Sequence, residues 1–189
     1  MSDSNNLNNL LDFVAFTHKI REIKRSMWVK NEEQFENDSE HGYQLALVAL
    51  YIIEDNNLEM DAYKSMGLAL VHDILEVHAG DTPVFASEEI KSTQDEREQE
   101  AIEYLKKQWP QMKLMLRLID EYEIGVTNEA KFIYALDKLL PMLNNYLDNG
   151  RNWHKNKINL DKIILVKIGK VDIDPVIAKY YSDVVDMLN

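Results

Sequence analysis

The 189 residues include no cysteine, which removes disulfides, thiolate metal sites and a cysteine nucleophile from consideration. Glycine (6) and proline (4) are scarce, while Leu, Ala, Glu, Lys and Met are common. That composition favours a mainly helical domain with short connections. No apolar run reaches the length that spans a bilayer. The first residues, MSDSNNLNNLLDF, lack the basic start and apolar core of a signal peptide, so a cytoplasmic protein is expected. There is no basic surplus either: 21 Lys and Arg face 33 Asp and Glu, a net charge of −12. This argues against general nucleic-acid binding, which needs a basic face. A small anionic substrate remains possible where metal, Lys and Arg cluster locally. Neither a Gly-rich phosphate loop nor a serine-nucleophile motif occurs.

The pattern that is present is helical. Apolar residues recur at 3–4-residue spacing from Asn6 to about Arg25, through Leu7, Leu10, Leu11 and Val14. Residues 26–38 read as a polar loop anchored by Met27, Trp28 and Phe35. A helix follows with Ser39 as its N-cap, its stripe running through Leu45, Val48, Ala49, Ile52 and Ile53. Asp61 caps a third helix, which extends through Asp73 to about Val77. Gly80–Pro83 breaks the chain. Further helices are expected over 87–108, 112–123, 129–147 and 175–188. LDKIILVKIG fits either a helix or a strand and is taken as helix from its context. One all-α domain over 1–189 is the expectation.

Three of these helices carry polar groups on apolar faces: His41, the adjacent pair His72 and Asp73, and Asp137. Each alone suits a hydrogen-bonded core residue or a local ion pair. Together, two imidazoles and two carboxylates suit one divalent metal, Mn, Fe, Co, Ni or Zn, with Mg also compatible, and leave coordination positions open. His18, His78 and His154 read as exposed helix or loop histidines.

The order H…HD…D resembles the HD-domain metal-dependent phosphohydrolase superfamily. SEHGYQLALVA (39–49), LALVHDILEVHAGDTPV (68–84) and NEAKFIYALDKL (128–139) resemble signature segments of its YfbR-like 5′-deoxynucleotidase branch. KRSMWV (24–29) resembles that branch's Arg…Trp loop. The resemblance covers about residues 20–147 and implies a helical HD-domain bundle. It implies metal ligands at His41, His72, Asp73 and Asp137, and Glu76 as the residue that orients or deprotonates the attacking water. Asp81 would lie near the water and the sugar, Arg25 at the phosphate, Trp28 at the base and Thr82 in the sugar-facing stretch. Arg21 is a rival for the phosphate role. The implied reaction is hydrolysis of a nucleoside 5′-monophosphate by water in a homodimeric enzyme. A dNTP triphosphohydrolase would use the same site, and a non-catalytic nucleotide- or partner-binding protein could keep the metal structurally. HDILE departs from the HD-x-x-E-D pattern of (p)ppGpp hydrolases.

Overall fold

In the computed structural model the described residues are 3–80, 87, 89 and 92–188. Their regular secondary structure is helical apart from one short hairpin. Helix α1 (Asp3–Ile20) leads into β1 (Lys24–Trp28) and β2 (Phe35–Asn37), which pair antiparallel with an irregular register between Lys24 and Trp28. Then come α2 (Asp38–Asp55), α3 (Ala62–Val71), the single turn α4 (Glu76–Ala79), α5 (Gln94–Gln108), α6 (Lys113–Ile124), α7 (Asn128–Leu147), α8 (Arg151–Asn156), α9 (Leu160–Val171) and α10 (Pro175–Leu188). None of the described helices is long and apolar enough to cross a membrane.

The apolar stripes meet in two adjoining cores. The larger joins Leu45, Ala49 and Ile52 of α2, Leu68 of α3, Phe132, Leu136 and Leu140 of α7, and Val171, Ile177 and Val184 near the end of the chain. The smaller gathers around Trp109, with Phe16, Leu75, Leu105 and Ile119.

Four expectations change. Helix α1 ends at Ile20 rather than about Arg25, and residues 24–37 form a hairpin in place of that helix end and of the loop over 26–38. Asn37, not Ser39, caps α2: its side chain accepts from Glu40 N while the Glu40 carboxylate accepts from Asn37 N, a reciprocal capping box. Helix α3 stops at Val71 instead of about Val77. Helix α1 leaves Leu7, Leu10, Leu11 and Val14 exposed, because it docks through Phe13 and Phe16 against Trp109, at ring separations of 5.4 and 4.8 Å. LDKIILVKIG is indeed helix, within α9. The helix expected from Ser87 is described from Gln94 onward, and residues 81–86 of the Gly80–Pro83 break and its surroundings lie outside the described residues.

Candidate active site

The site begins where α3 ends. Asp61 starts that helix by accepting from Lys64 N, and His72 is its C-cap. A tight turn follows, with Ile74 N donating to Val71 O and Glu76 N to Asp73 O. It brings His72, Asp73 and Glu76 onto the wall of one cavity of about 1280 Å³. His72 Nδ1 donates to Ala69 O at 2.8 Å. That bond fixes the ring and leaves the Nε2 lone pair facing Asp73 Oδ2, 2.9 Å away.

Two other helices supply the remaining polar groups. His41, fully buried on α2, has Nε2 2.9 Å from Asp137 Oδ1 of α7. Its Nδ1 lies 3.8 Å from the buried carboxylate of Glu36. His72 Nε2 is 3.8 Å from the same Asp137 oxygen, and the two imidazole centroids are 5.2 Å apart. His41, His72 and Asp73 each present a ligand atom within 4.8 Å of the others. With metal–ligand bonds of about 2.1 Å, neighbouring ligands of one ion lie about 3 Å apart. The two 2.9 Å pairs match that spacing. Unprotonated Nε2 of His72 opposite a carboxylate oxygen is repulsive unless a cation or a proton lies between them, so the donor set fits a divalent metal.

Here the countercharge is Arg25 of β1. Its Nη1 bonds Asp73 Oδ2 and stands 3.4 Å from Asp38 Oδ1, while Nη2 is 3.7 Å from Asp137 Oδ1. Arg21, its rival, is exposed. Lys138 Nζ meets the other Asp137 oxygen at 2.5 Å.

These contacts set the protonation states. Burial alone would raise the Asp137 carboxyl, but Lys138 and the two imidazoles hold it well below the usual carboxylate range. Burial lowers His41 despite its bond to Asp137. Burial also opposes charging His72, yet the Asp73 carboxylate beside it leaves its pKa raised. Burial pushes Glu36 up to about 7. Glu123, on α6 at the cavity wall, is likewise raised to about 7, by burial and then by Glu98.

Of the residues expected in the site, His41, His72, Asp73, Asp137 and Arg25 are brought together, and Glu76 lines the same cavity as His72, Asp73, Asp137 and Arg25. Asp81 and Thr82 lie outside the described residues. Trp28 is not among the described lining residues: the pleat of β1 buries Met27. Trp28 instead packs on Phe35, its ring covered by Lys155 Nζ at 3.9 Å and Arg151 Cζ at 5.0 Å from the centroid. Sequence reasoning missed Lys138, Lys167, Glu123, Asn145 and Trp153, which all line the cavity. Lys138 follows Asp137 directly and could have been found as its neighbour. Lys167 reaches the wall by donating to Lys138 O at 2.8 Å.

The chain is similar to known proteins along most of its length. A family model described as HD domain matches residues 17–174. The 5′-deoxynucleotidase HDDC2 of Bos taurus is 34% identical over 133 residues, which cover 69% of this chain and 63% of that protein. The match thus spans just under two thirds of that relative. HDDC2 of Dictyostelium discoideum is 29% identical over 177 residues, 87% of this chain and 90% of that one. A crystal structure of a protein described as a predicted metal-dependent phosphohydrolase, from Magnetospirillum magnetotacticum MS-1, has a TM-score of 0.80 at 27% identity, covering 96% of this chain and 91% of that one. A conserved hypothetical protein of Pyrococcus furiosus, at TM-score 0.67 and 21% identity over 93% and 99% of the two chains, shares the fold.

Proposed function

The chain belongs to the HD-domain family, and from that membership we propose that it hydrolyses nucleoside 5′-monophosphates, deoxynucleotides foremost, to nucleoside and phosphate. The carrying observation is the spacing of ligand atoms in the cluster of His41, His72, Asp73 and Asp137, with Glu76 on the same cavity wall. A divalent metal bound there supplies Lewis acidity toward the phosphate and the water.

The residues of the chain do the rest. Glu76 orients the water and takes its proton. Arg25, which lies against Asp73 and Asp137, would turn its fork to the phosphate oxygens once those carboxylates held a metal, and would balance charge growing on the phosphoryl group. The new oxygen–phosphorus bond forms as the bond to the 5′-oxygen breaks, and that oxygen leaves with the proton Glu76 took from the water. Asp81 and Thr82 belong to the sugar end. The whole chain acts as one HD domain, as a cytoplasmic homodimer.

A second reading, release of triphosphate from dNTPs, gains support from Lys24, Lys131, Lys138 and Lys167, which add cationic groups along the cavity. Incubation with dAMP and dATP under Mn²⁺, Co²⁺ or Mg²⁺, with identification of phosphate or triphosphate, separates the two. Absence of turnover with every metal would refute both and favour a binding protein. Asp73→Ala should lose metal, read by elemental analysis, together with turnover. Full activity of that variant in metal would overturn the assignment.

A further inference from the structure

The two ring nitrogens of the fully buried His41 have different surroundings. Nε2 stands 2.9 Å from Asp137 Oδ1, within the cluster. Nδ1 is buried and has no hydrogen-bond partner among the described residues. His72 differs, because its Nδ1 is already tied to Ala69 O at 2.8 Å. Among the described residues, the acidic side chain at ion-pair distance from His41 Nδ1 is Glu36, whose Oε2 is 3.8 Å away. Glu36 is only 7% exposed. Alternation along β2 exposes Phe35 and turns Glu36 inward. The capping box at Asn37 then fixes the passage from β2 into α2, the helix that carries His41. The same Oε2 lies 4.0 Å from Arg25 Nε. Neither contact is short enough to be a hydrogen bond.

We propose that Glu36 is a positioning residue for the metal centre: with His41 Nε2 as a ligand, the imidazole proton resides on Nδ1 and Glu36 Oε2 accepts it. The inference rests on the metal reading of the cluster and is independent of which phosphate ester is hydrolysed. A neutral imidazole carries one N–H. A proton shared by Nε2 and Asp137 has to leave that nitrogen once its lone pair is given to an ion. It changes nitrogen, and none is gained or lost by the ring. On Nδ1 it becomes a buried donor, which weakens the bound state unless an acceptor meets it. Glu36 needs to move by about 1 Å to reach the length of a charge-assisted bond. Both imidazoles would then offer Nε2 with Nδ1–H held, His72 by a backbone carbonyl and His41 by a carboxylate that also raises its basicity as a ligand.

The test titrates chelator-stripped wild type, Glu36→Leu and Glu36→Gln with Zn²⁺ alone in a calorimeter. Glu36→Leu should bind about 10–100-fold more weakly, the usual effect of removing the outer partner of a ligating histidine. Glu36→Gln keeps an acceptor oxygen without the charge and should recover most of that loss. A purely structural Glu36 would lower Tm in chelator and leave the affinity of the folded variants alone, so unchanged affinity in folded Glu36→Leu overturns the inference. Equal losses in both variants overturn it as well, because charge rather than an acceptor would then matter. Nitrogen NMR of the zinc-loaded wild type should find the His41 proton on Nδ1. A proton on Nε2 overturns the inference, and this measurement carries the test if Glu36→Leu fails to melt cooperatively by circular dichroism. Wild type that binds zinc no better than His41→Ala sinks the metal reading and this inference with it. Wild type that binds through His41 Nε2 while Glu36→Leu binds equally well sinks the role of Glu36 alone.

Discussion

Arg25→Met should destabilise the metal-free protein severely and the metal-loaded protein much less. The guanidinium sits among Asp73, Asp38, Asp137 and Glu36, its contacts reaching from a direct bond to 4.0 Å, with its side chain only 18% exposed. Methionine preserves the stem and removes the charge. Among the described residues, Lys138 would then face Asp137 as the remaining Lys or Arg in close contact with the cluster. Removing one partner of a buried charge network costs about 3–5 kcal/mol, because the opposite charges stay buried. For a chain of this length each kcal/mol moves Tm by about 2–4 °C, so Tm in chelator should drop by roughly 6–20 °C. A divalent ion restores the missing charge, and at a hundred times its Kd it adds about 2.7 kcal/mol. Because the Arg25 guanidinium no longer competes for Asp73 in the variant, its rise in Tm with Mn²⁺ should exceed that of wild type. Thermal unfolding by circular dichroism in EDTA and in Mn²⁺ gives all four values. A chelated variant melting within about 2 °C of wild type, a shift under one kcal/mol on that scale, would refute the countercharge role, as would a smaller metal-induced rise.

Other residues yield separate expectations. Glu76→Gln should keep its metal by elemental analysis and lose about 10²–10⁴ in kcat; loss of the metal instead would make Glu76 a ligand. Asn37→Ala removes the side-chain half of the α2 capping box and should cost about 1 kcal/mol in urea unfolding; no loss would mean that hydrophobic docking alone sets the start of α2. Burial lowers Lys167 to about 8 from 10.5. Between pH 8 and 10.5 the unfolded chain therefore binds more protons, and stability due to this group rises with pH. Lys167→Met should accordingly be more stable than wild type at pH 7, by at most about 3 kcal/mol, with the gap closing toward pH 10.5; a gap independent of pH would show that packing, not charge, sets the difference.

Most helices were legible because their apolar spacing is a local signal repeated over several turns. Helix α10 spans Pro175–Leu188 as expected, and α7 nearly as expected. The His/Asp cluster was legible for a different reason: polar residues on apolar stripes are costly, and the chain keeps four of them. The hairpin was not legible, because β2 is three residues long and its pairing with β1 is irregular. No period of two accumulates over so short a run. The exposure of Leu7, Leu10, Leu11 and Val14 on α1 could not be read from their spacing, because periodicity reveals an apolar face but not whether anything covers it. Lys138, Lys167 and Asn145 look like ordinary helix residues in sequence; docking of α7 and α9 turns them toward the cavity. Trp28 belongs to a segment that resembles the Arg…Trp loop, yet Arg151 and Lys155, far along the chain, lie over its ring.

The bond between His41 and Asp137 joins residues 96 positions apart. Synthesis from the N-terminus completes α2 and the end of α3 long before α7 exists. The growing chain thus holds His41, His72 and Asp73 without the carboxylate that ties α2 to α7. Ion binding to that partial set wins little against the freedom of an unfolded chain, since metal affinity and folding draw on the same free energy. Completion of the His/Asp cluster is therefore a late event in the life of each molecule, timed by the docking of α7, and a chain truncated before Asp137 should not retain metal.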